Sequence, residues 1–412
     1  MKPLAPRLHA APRWLFWLLL LSGALLLGLC ILFPVLGVLE WVAAVPSGLA
    51  ILTAARDRSI RLRRMYGYGF CFFGCFYLVN FHWFLYMYPL TFAGLSDAAS
   101  AVVVIVAWFG LSALQTVGAA ALFPLFAVAV RGKFLSGKPI LQPLLFAALW
   151  AVREWIQASI GWAGVPWARL PLGQVGLRLT LQSAAFLGSY FVTFLLIAVS
   201  MLIADLLLHP DRARLCGILA GSLLVGNLAL GGLRLLTRPA EGNAVQVAAI
   251  QGNMSSLEKW SGNSVSAERY ETLTRKAAAE GANVILLPEL FEREYFCQQR
   301  RYDFYHYAKP VMENDAVRMG MRLAAELGVV LPISFYERDV NNLYNSIACI
   351  DADGTVLGVY RKTHIPDDHY YQEKFYFTPG DTGFQVFSTR YGRIGVGICW
   401  DQWFPESARC MA

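Results

Sequence analysis

The first 236 or so residues carry seven apolar runs, at roughly 14–33, 35–54, 66–88, 100–125, 140–158, 181–207 and 214–234. Each approaches the twenty-odd residues that a helix needs to cross a bilayer. A chain with so many runs of that length has one main option, a multi-pass α-helical membrane domain. Composition supports this: 57% of the 412 residues are hydrophobic and only 15% are charged. Mean hydropathy is +0.46, too apolar for an ordinary soluble protein. Charge and strand-like patterning appear only later. The expected organisation is therefore a transmembrane domain of about seven helices over 1–236 and a soluble domain over 244–412. The fourth run is the least regular, because 98–130 is apolar for longer than one crossing requires. A tilt or a short interfacial helix would absorb the excess.

Basic residues set the expected orientation. Lys2, Arg7 and Arg13 precede the first run, and Arg56, Arg58, Arg61, Arg63 and Arg64 lie between the second and third. Arg131, Lys133 and Lys138 follow the fourth, and Arg212 and Arg214 separate the sixth from the seventh, whereas 88–97 holds no Lys or Arg. Every second loop is thus basic, which puts the N-terminus in the cytoplasm and the soluble domain outside it. The net charge of +7 follows from this topology, and no nucleic-acid partner is expected. Further spans follow the first run without a small-residue cleavage site, so it reads as a retained span. Arg153 and Glu154 are placed to pair at the membrane edge, and Asp205 lies near a basic loop. Cys71 and Cys75 are one helical turn apart, but no other ligand types stand near them, so no metal is expected.

Beyond a linker broken by Pro239 and Gly242, strand-like runs at 245–251, 284–287 and 329–335 alternate with helical patterns at 265–281 and 316–327. Runs at 345–351 and 356–360 form a hairpin around Asp353-Gly354. That order predicts an α/β layered sandwich. Three strand-like runs end on reactive side chains. Val284-Ile285-Leu286-Leu287-Pro288-Glu289 ends on a carboxylate, and Val359-Tyr360-Arg361-Lys362 ends on an amine. Arg393-Ile394-Gly395-Val396-Gly397-Ile398-Cys399 ends on a thiol, just before a helix start at 404–409. A thiol needs a base to become a nucleophile, and a developing oxyanion needs a fixed cation or N–H donors.

Glu289, Lys362 and Cys399, in that order and setting, resemble the Glu-Lys-Cys triad of the carbon-nitrogen hydrolase (nitrilase) superfamily. The resemblance implies a nitrilase-like α-β-β-α sandwich. It also implies Glu289 as general base, Cys399 as the residue that forms a thioester, and Lys362 as the oxyanion's partner. Glu373 matches a second glutamate of that superfamily, one that supports the lysine and positions substrate. No cofactor is implied.

Two branches of the superfamily are resembled in turn. Residues 1–285 are similar to the apolipoprotein N-acyltransferase family through Arg153-Glu154-Trp155, the Trp-, Gly- and Pro-rich loop 161–171 with Trp162 and Trp167, and 247–253 followed by Lys259-Trp260. Residues 286–412 are similar to the N-carbamoylputrescine amidases, notably at 290–298, 363–368, 373–381 and 399–406. There Trp400-Asp401 stands where the acyltransferases usually have Tyr-Glu. Trp162, Trp167, Trp260, Trp400 and Asp401 are therefore the substrate-binding candidates. Thirteen residues follow Cys399, whereas both branches continue well past that point, so the sandwich is expected to be incomplete at its C-terminus.

The implied activity is transfer of a fatty acyl group from membrane phospholipid, through a thioester on Cys399, to the N-terminal cysteine of a diacylglyceryl lipoprotein. The setting would be a bacterial cytoplasmic (inner) membrane, with the catalytic domain outside the cytoplasm. Two alternatives stay open: hydrolysis of a small N-carbamoyl amine, or an inactive chimeric or truncated product. A channel or transporter would need paired charges or broken helices at mid-membrane, and no convincing set is present.

Overall fold

The computed structural model describes residues 12–90, 94–160, 164–237, 242–253, 265–368 and 371–412. It divides into two compact units, Met1–Pro239 and Ala240–Ala412.

The first unit is helical. Its principal helices are α1 (Arg13–Leu32), α2 (Glu40–Ala43), α3 (Val45–Arg56), α4 (Leu62–Asn80), α5 (Asp97–Ala119), α6 (Leu122–Arg131), α7 (Leu141–Ser159), α8 (Ser189–Leu208) and α9 (Ala213–Leu236). Among the described residues, five segments are long and apolar enough to cross a membrane: Arg13–Leu32, Leu62–Met87, Asp97–Arg131, Ser189–Leu208 and Pro210–Leu236. The second expected span, 35–54, is a series of short helical pieces rather than one long helix. Pro34 and Pro46 each open a new helical piece, and the longest of these, α3, has 12 residues. With α2 it runs almost unbroken from 40 to 56, about 25 Å at 1.5 Å per residue, so the run still approaches the length of a crossing. The fifth expected span is the 19-residue α7, which carries Arg153 and Glu154. The long fourth run is two helices, α5 and α6, meeting at Ala120-Ala121.

Helix α8 is the hub, buried along most of its length and packed on α3, α7 and α9. Beside it Phe72, Phe73, Phe76, Tyr77, Phe123 and Trp150 form a fully buried aromatic cluster. The outward faces are apolar too: Val102, Val106, Val117, Ile218, Val225 and Leu233 are all more than half exposed. Helices that are apolar both inside and outside suit a lipid surround rather than water. Close crossing of α1 on α3 depends on Gly23, where a Cβ would stand 2.6 Å from that of Ser47.

The second unit is α/β. A short parallel pair, β1 (Val247–Ala249) and β2 (Val284–Leu286), is in register Val247–Val284. A parallel bridge from Val284 to Val330 leads into an antiparallel meander of β3 (Leu331–Asp339), β4 (Asn342–Ile350) and β5 (Val356–Arg361). Helices α10 (Val265–Ala279) and α11 (Asp315–Leu327) cover this layer. Asn314 caps α11 by accepting from the Ala316 and Val317 N–H groups, and Gly328 ends it in the left-handed conformation. The β3–β4 turn at Val340 and Asn341 has no Gly or Pro, and Val340 itself takes φ +52°. The turn formers present are Asp339, Asn341 and Asn342.

Strand β4 is buried on both faces. Ala348 and Ile350 join the cluster with Val317, Leu323 and Ile333, while Ile347 and Cys349 pack with Tyr360, Phe387, Val396 and Ile398. The second cluster includes β6 (Val386–Thr389) and β7 (Gly392–Gly395), a hairpin paired Val386–Gly395. It leads into the nucleophile turn and α12 (Pro405–Met411).

Candidate active site

Each reactive side chain of the second unit sits just past a strand end. Glu289 follows β2, Lys362 follows β5, and Cys399 lies four residues past the end of β7. Period-2 alternation buries the strand side chains on either face, and the first residue beyond the ladder is released from that pattern. The Lys362 N–H donates to the Asn345 carbonyl (2.9 Å), and its own carbonyl accepts from the Gly380 N–H (2.8 Å). The second contact requires glycine, because a Cβ at 380 would run into the carbonyl of Arg361.

Lys362 is fully buried, and its Nζ donates to Glu289 Oε1 (2.9 Å) and to Glu373 Oε2 (2.6 Å). Burial alone would lower the ammonium's pKa, but the two carboxylates outweigh it and raise it. Glu373 is also buried, and that burial pushes its carboxyl up against the pull of Lys362. Glu373 Oε1 accepts from the Tyr295 hydroxyl (2.8 Å), and Glu289 Oε1 accepts from Asn345 Nδ2 (2.6 Å). Two anions thus share one cation, and Glu289 is the member left partly open, at 23% exposure.

Cys399 takes φ +48°, a left-handed conformation that a non-glycine residue adopts only when its surroundings hold it there. The residue is solvent-accessible. Partial burial of the thiol, then the charge of Glu289 and a hydrogen bond to that carboxylate, push its pKa up to about 11; Lys362 pulls the other way. At neutral pH the sulfur is therefore a thiol. The turn before α12 does not favour a thiolate, because burial first, and Glu289 next, hold the proton on sulfur. Such a group suits proton transfer concerted with attack.

Asp401 holds this turn in place. It is buried, and its Oδ2 accepts from the Ile398 N–H (3.0 Å) and the Tyr360 hydroxyl (2.7 Å). Its Oδ1 accepts from the His364 N–H (3.0 Å) and is 2.8 Å from His364 Nδ1. The imidazole in turn stacks on Phe404 at 3.6 Å. As a substrate-binding candidate Asp401 is corrected: both oxygens face inward, and they tie the cysteine turn to the end of β5. Trp400 remains at the surface, with its ring 5.9 Å from that of Phe404.

Of the other aromatic candidates, Trp162 and Trp260 lie outside the described residues. Trp167 belongs to the first unit, half-exposed and packed edge-on against Trp83. Asn345 and Tyr295 were not singled out from sequence. The signal at 345 is a buried amide, beside buried Ser346, in a strand that is apolar from Ile347 to Ile350. Arg361 braces the same corner through Glu337 (2.7 Å), Asp339 (2.8 Å) and Asp381 (3.0 Å).

Comparison with known proteins divides the chain at the same place. Residues 246–412 match the family model described as carbon-nitrogen hydrolase, and residues 22–202 match that of the apolipoprotein N-acyltransferase N-terminal domain. An N-carbamoylputrescine amidase of Oryza sativa subsp. japonica is 56% identical over 170 residues, 41% of this chain and 55% of the relative. A citrullinase of Francisella tularensis is 53% identical over 144 residues, 35% of this chain and 50% of its own length. An apolipoprotein N-acyltransferase of Gloeobacter violaceus is 26% identical over 392 residues, which is 90% of this chain and 69% of the relative. The chain thus spans about half the length of the first curated relatives that it matches. The likeness to amidases is confined to the carbon-nitrogen hydrolase part, and the likeness to the acyltransferase runs through both units.

Proposed function

We propose that this chain is a membrane N-acyltransferase of bacterial type, carrying a fatty acyl group from phospholipid to the N-terminal amine of a diacylglyceryl lipoprotein. The observation that carries the reading is the coexistence of two things in one chain. One is an acyltransferase-type membrane domain, and the other is a carbon-nitrogen hydrolase domain in which Glu289, Lys362 and Cys399 converge. Donor and acceptor are both anchored in a bilayer, so a membrane domain has a purpose for these substrates.

The chemistry follows from the geometry. Glu289 takes the Cys399 proton as the sulfur attacks the ester carbonyl. Lys362 spends two of its three N–H groups on Glu289 and Glu373, which leaves one for the tetrahedral oxyanion. Collapse breaks the acyl–oxygen bond, and the proton on Glu289 passes to the departing lysophospholipid alkoxide. The thioester is then attacked by the lipoprotein amine. Glu289 takes one proton from the nitrogen, and the thiolate leaves and recovers that proton. Glu373, held by Tyr295, fixes the ammonium at the carbonyl. Trp162, Trp167, Trp260 and Trp400 are the candidates to meet the acyl chain, and Asp401 holds the cysteine turn.

A specific observation favours a second reading, hydrolysis of an N-carbamoyl amine. The 56% identity of the amidase relative far exceeds the 26% of the acyltransferase relative, although it covers only 41% of the chain. The deciding assay offers the full chain phospholipid with a diacylated lipopeptide and, separately, N-carbamoylputrescine. Triacylated peptide without ammonia release is the result expected. Ammonia release without acylated peptide would replace the proposal with the amidase.

The orientation proposed places the N-terminus in the cytoplasm and Cys399 outside it, in the inner membrane. A membrane-impermeant thiol reagent on intact cells should label Cys399 and leave a cysteine introduced by Arg61→Cys unlabelled. Labelling at position 61 from outside would reverse the topology.

A further inference from the structure

The helical unit contains a cavity of about 340 Å³ that has no part in the chemistry above. Its walls include Arg56, Arg58, Arg131, Gln142, His209 and Arg212. Four guanidiniums therefore face one space, roughly ten water molecules in size.

Their internal partners do not balance them. Fully buried Asp205 accepts from Arg56 (2.7 Å) and twice from Arg212 (2.7 and 2.9 Å). Arg56 also donates to Gln142 Oε1 (2.8 Å) and lies 2.6 Å from His209 Nε2. Arg131 donates to the Ala54, Ala55 and Ile60 carbonyls, and Asp57 is the carboxylate whose charge reaches it. Exposed Arg58 donates to the Arg131 carbonyl (2.8 Å), one bond from a group with five N–H donors. Asp211 stands 3.9 Å from Arg212 at the rim and is mostly in solvent, and Asp57 adjoins Arg58 in the chain. Counting both with Asp205, four cations still meet only three carboxylates. The cluster is held rigid at its base by Asp205 and keeps a surplus of positive charge and N–H donors at its mouth.

Position supplies the ligand chemistry. Arg56 and Arg131 are the last residues of α3 and α6, Gln142 lies in the first turn of α7, and His209 directly follows α8. These are helix ends, at the depth where spans leave the hydrocarbon and meet headgroup phosphates. Arginine forks match phosphate oxygens in pairs, and basic pockets between spanning helices suit anionic headgroups. We propose that this cavity binds a phosphate group: the phosphodiester of an anionic phospholipid or free phosphate, a site separate from the Cys399 centre.

The test uses the full chain in neutral detergent, with native mass spectrometry after exposure to phosphatidylglycerol, phosphatidylcholine or inorganic phosphate. Wild type should retain one phosphatidylglycerol per chain in preference to phosphatidylcholine. Arg58→Glu should lower that retention by about fivefold or more, from the loss and reversal of one surface basic charge, and Arg58→Lys should restore most of it. Arg58 is exposed and lies outside the Asp205 base, so both variants should unfold at the wild-type temperature. A phosphate adduct that displaces the lipid and is lost in Arg58→Glu would identify free phosphate as the source. Equal phosphatidylglycerol retention in wild type and Arg58→Glu, or no preference over phosphatidylcholine together with no phosphate adduct, would overturn the site.

Discussion

In the helical unit a buried carboxylate, Asp205, is met by two guanidiniums; in the α/β unit a buried ammonium, Lys362, is met by two carboxylates. Both arrangements keep a charge out of water by over-supplying its counterions. They differ in what the surplus does. Around Asp205 the extra charge is positive and sits at helix ends, where it closes helix C-termini and lines a basic cavity. Around Lys362 the extra charge is negative, and one of its two holders, Glu289, stays half-open beside a solvent-accessible thiol. A charge cluster becomes a candidate for chemistry when one member remains accessible to a substrate and the rest fix its geometry.

Breaking each cluster should separate the two roles. Asp205→Ala leaves two guanidiniums without their carboxylate and should cost about 3–5 kcal/mol of stability in detergent-solubilised protein, read by thermal or denaturant unfolding. The α/β unit should keep its Cys399 reactivity at temperatures below that transition. Lys362→Met leaves buried Glu373 unpaired and should also destabilise, but below its unfolding transition it should lower acyl transfer by about a hundredfold or more through the lost oxyanion partner. If Asp205→Ala were as stable as wild type, the ion cluster would not be holding the helix ends together.

A pH measurement sharpens the contrast further. The Cys399 thiol is raised to about 11, by partial burial first and by Glu289 next. A raised pKa keeps sulfur protonated, so alkylation should accelerate as pH climbs toward 11 rather than levelling off near 9. Glu289→Gln removes both the charge and the hydrogen bond that raise it, so the midpoint should fall. At pH 8 this variant should alkylate faster than wild type and yet transfer acyl groups more slowly. Slower alkylation in Glu289→Gln would contradict the electrostatic assignment. At the small end, Asn314→Ala should cost about 1 kcal/mol, because it strips the cap from α11 without touching the site.

The two units were also legible from sequence for different reasons. Apolar length located α1 and α9 closely and the end of α8, since in lipid the run itself is the signal; the start of α8 lies eight residues later than the run, at Ser189. At 35–54 apolar length did not show the breaks: Pro34 and Pro46 divide the run into pieces, and buried Glu40 accepts from Gln174 Nε2 (2.7 Å). In the α/β unit, strand ends marked Glu289, Lys362 and Cys399, because a reactive side chain after a buried run is conspicuous. Asn345 and Tyr295 were missed, since each reaches the site only through tertiary pairing. The β3–β4 turn was missed because it has neither Gly nor Pro, and the residue at positive φ is the β-branched Val340, with Asp339, Asn341 and Asn342 as its turn formers. Asp401 was a substrate-binding candidate through the resemblance of 399–406 to the amidases, which says nothing of where its oxygens face. Its four hydrogen-bonding partners lie at 360, 364 and 398, on segments that only folding brings together.

The most direct test of the acyl-transfer proposal is mass spectrometry of the Cys399 peptide after the full chain has been incubated with phospholipid in liposomes. A fatty-acyl thioester on Cys399 is expected, lost in Cys399→Ala and retained in Cys297→Ala. Absence of any fatty-acyl adduct on Cys399, or its presence on Cys297 instead, would contradict the proposal.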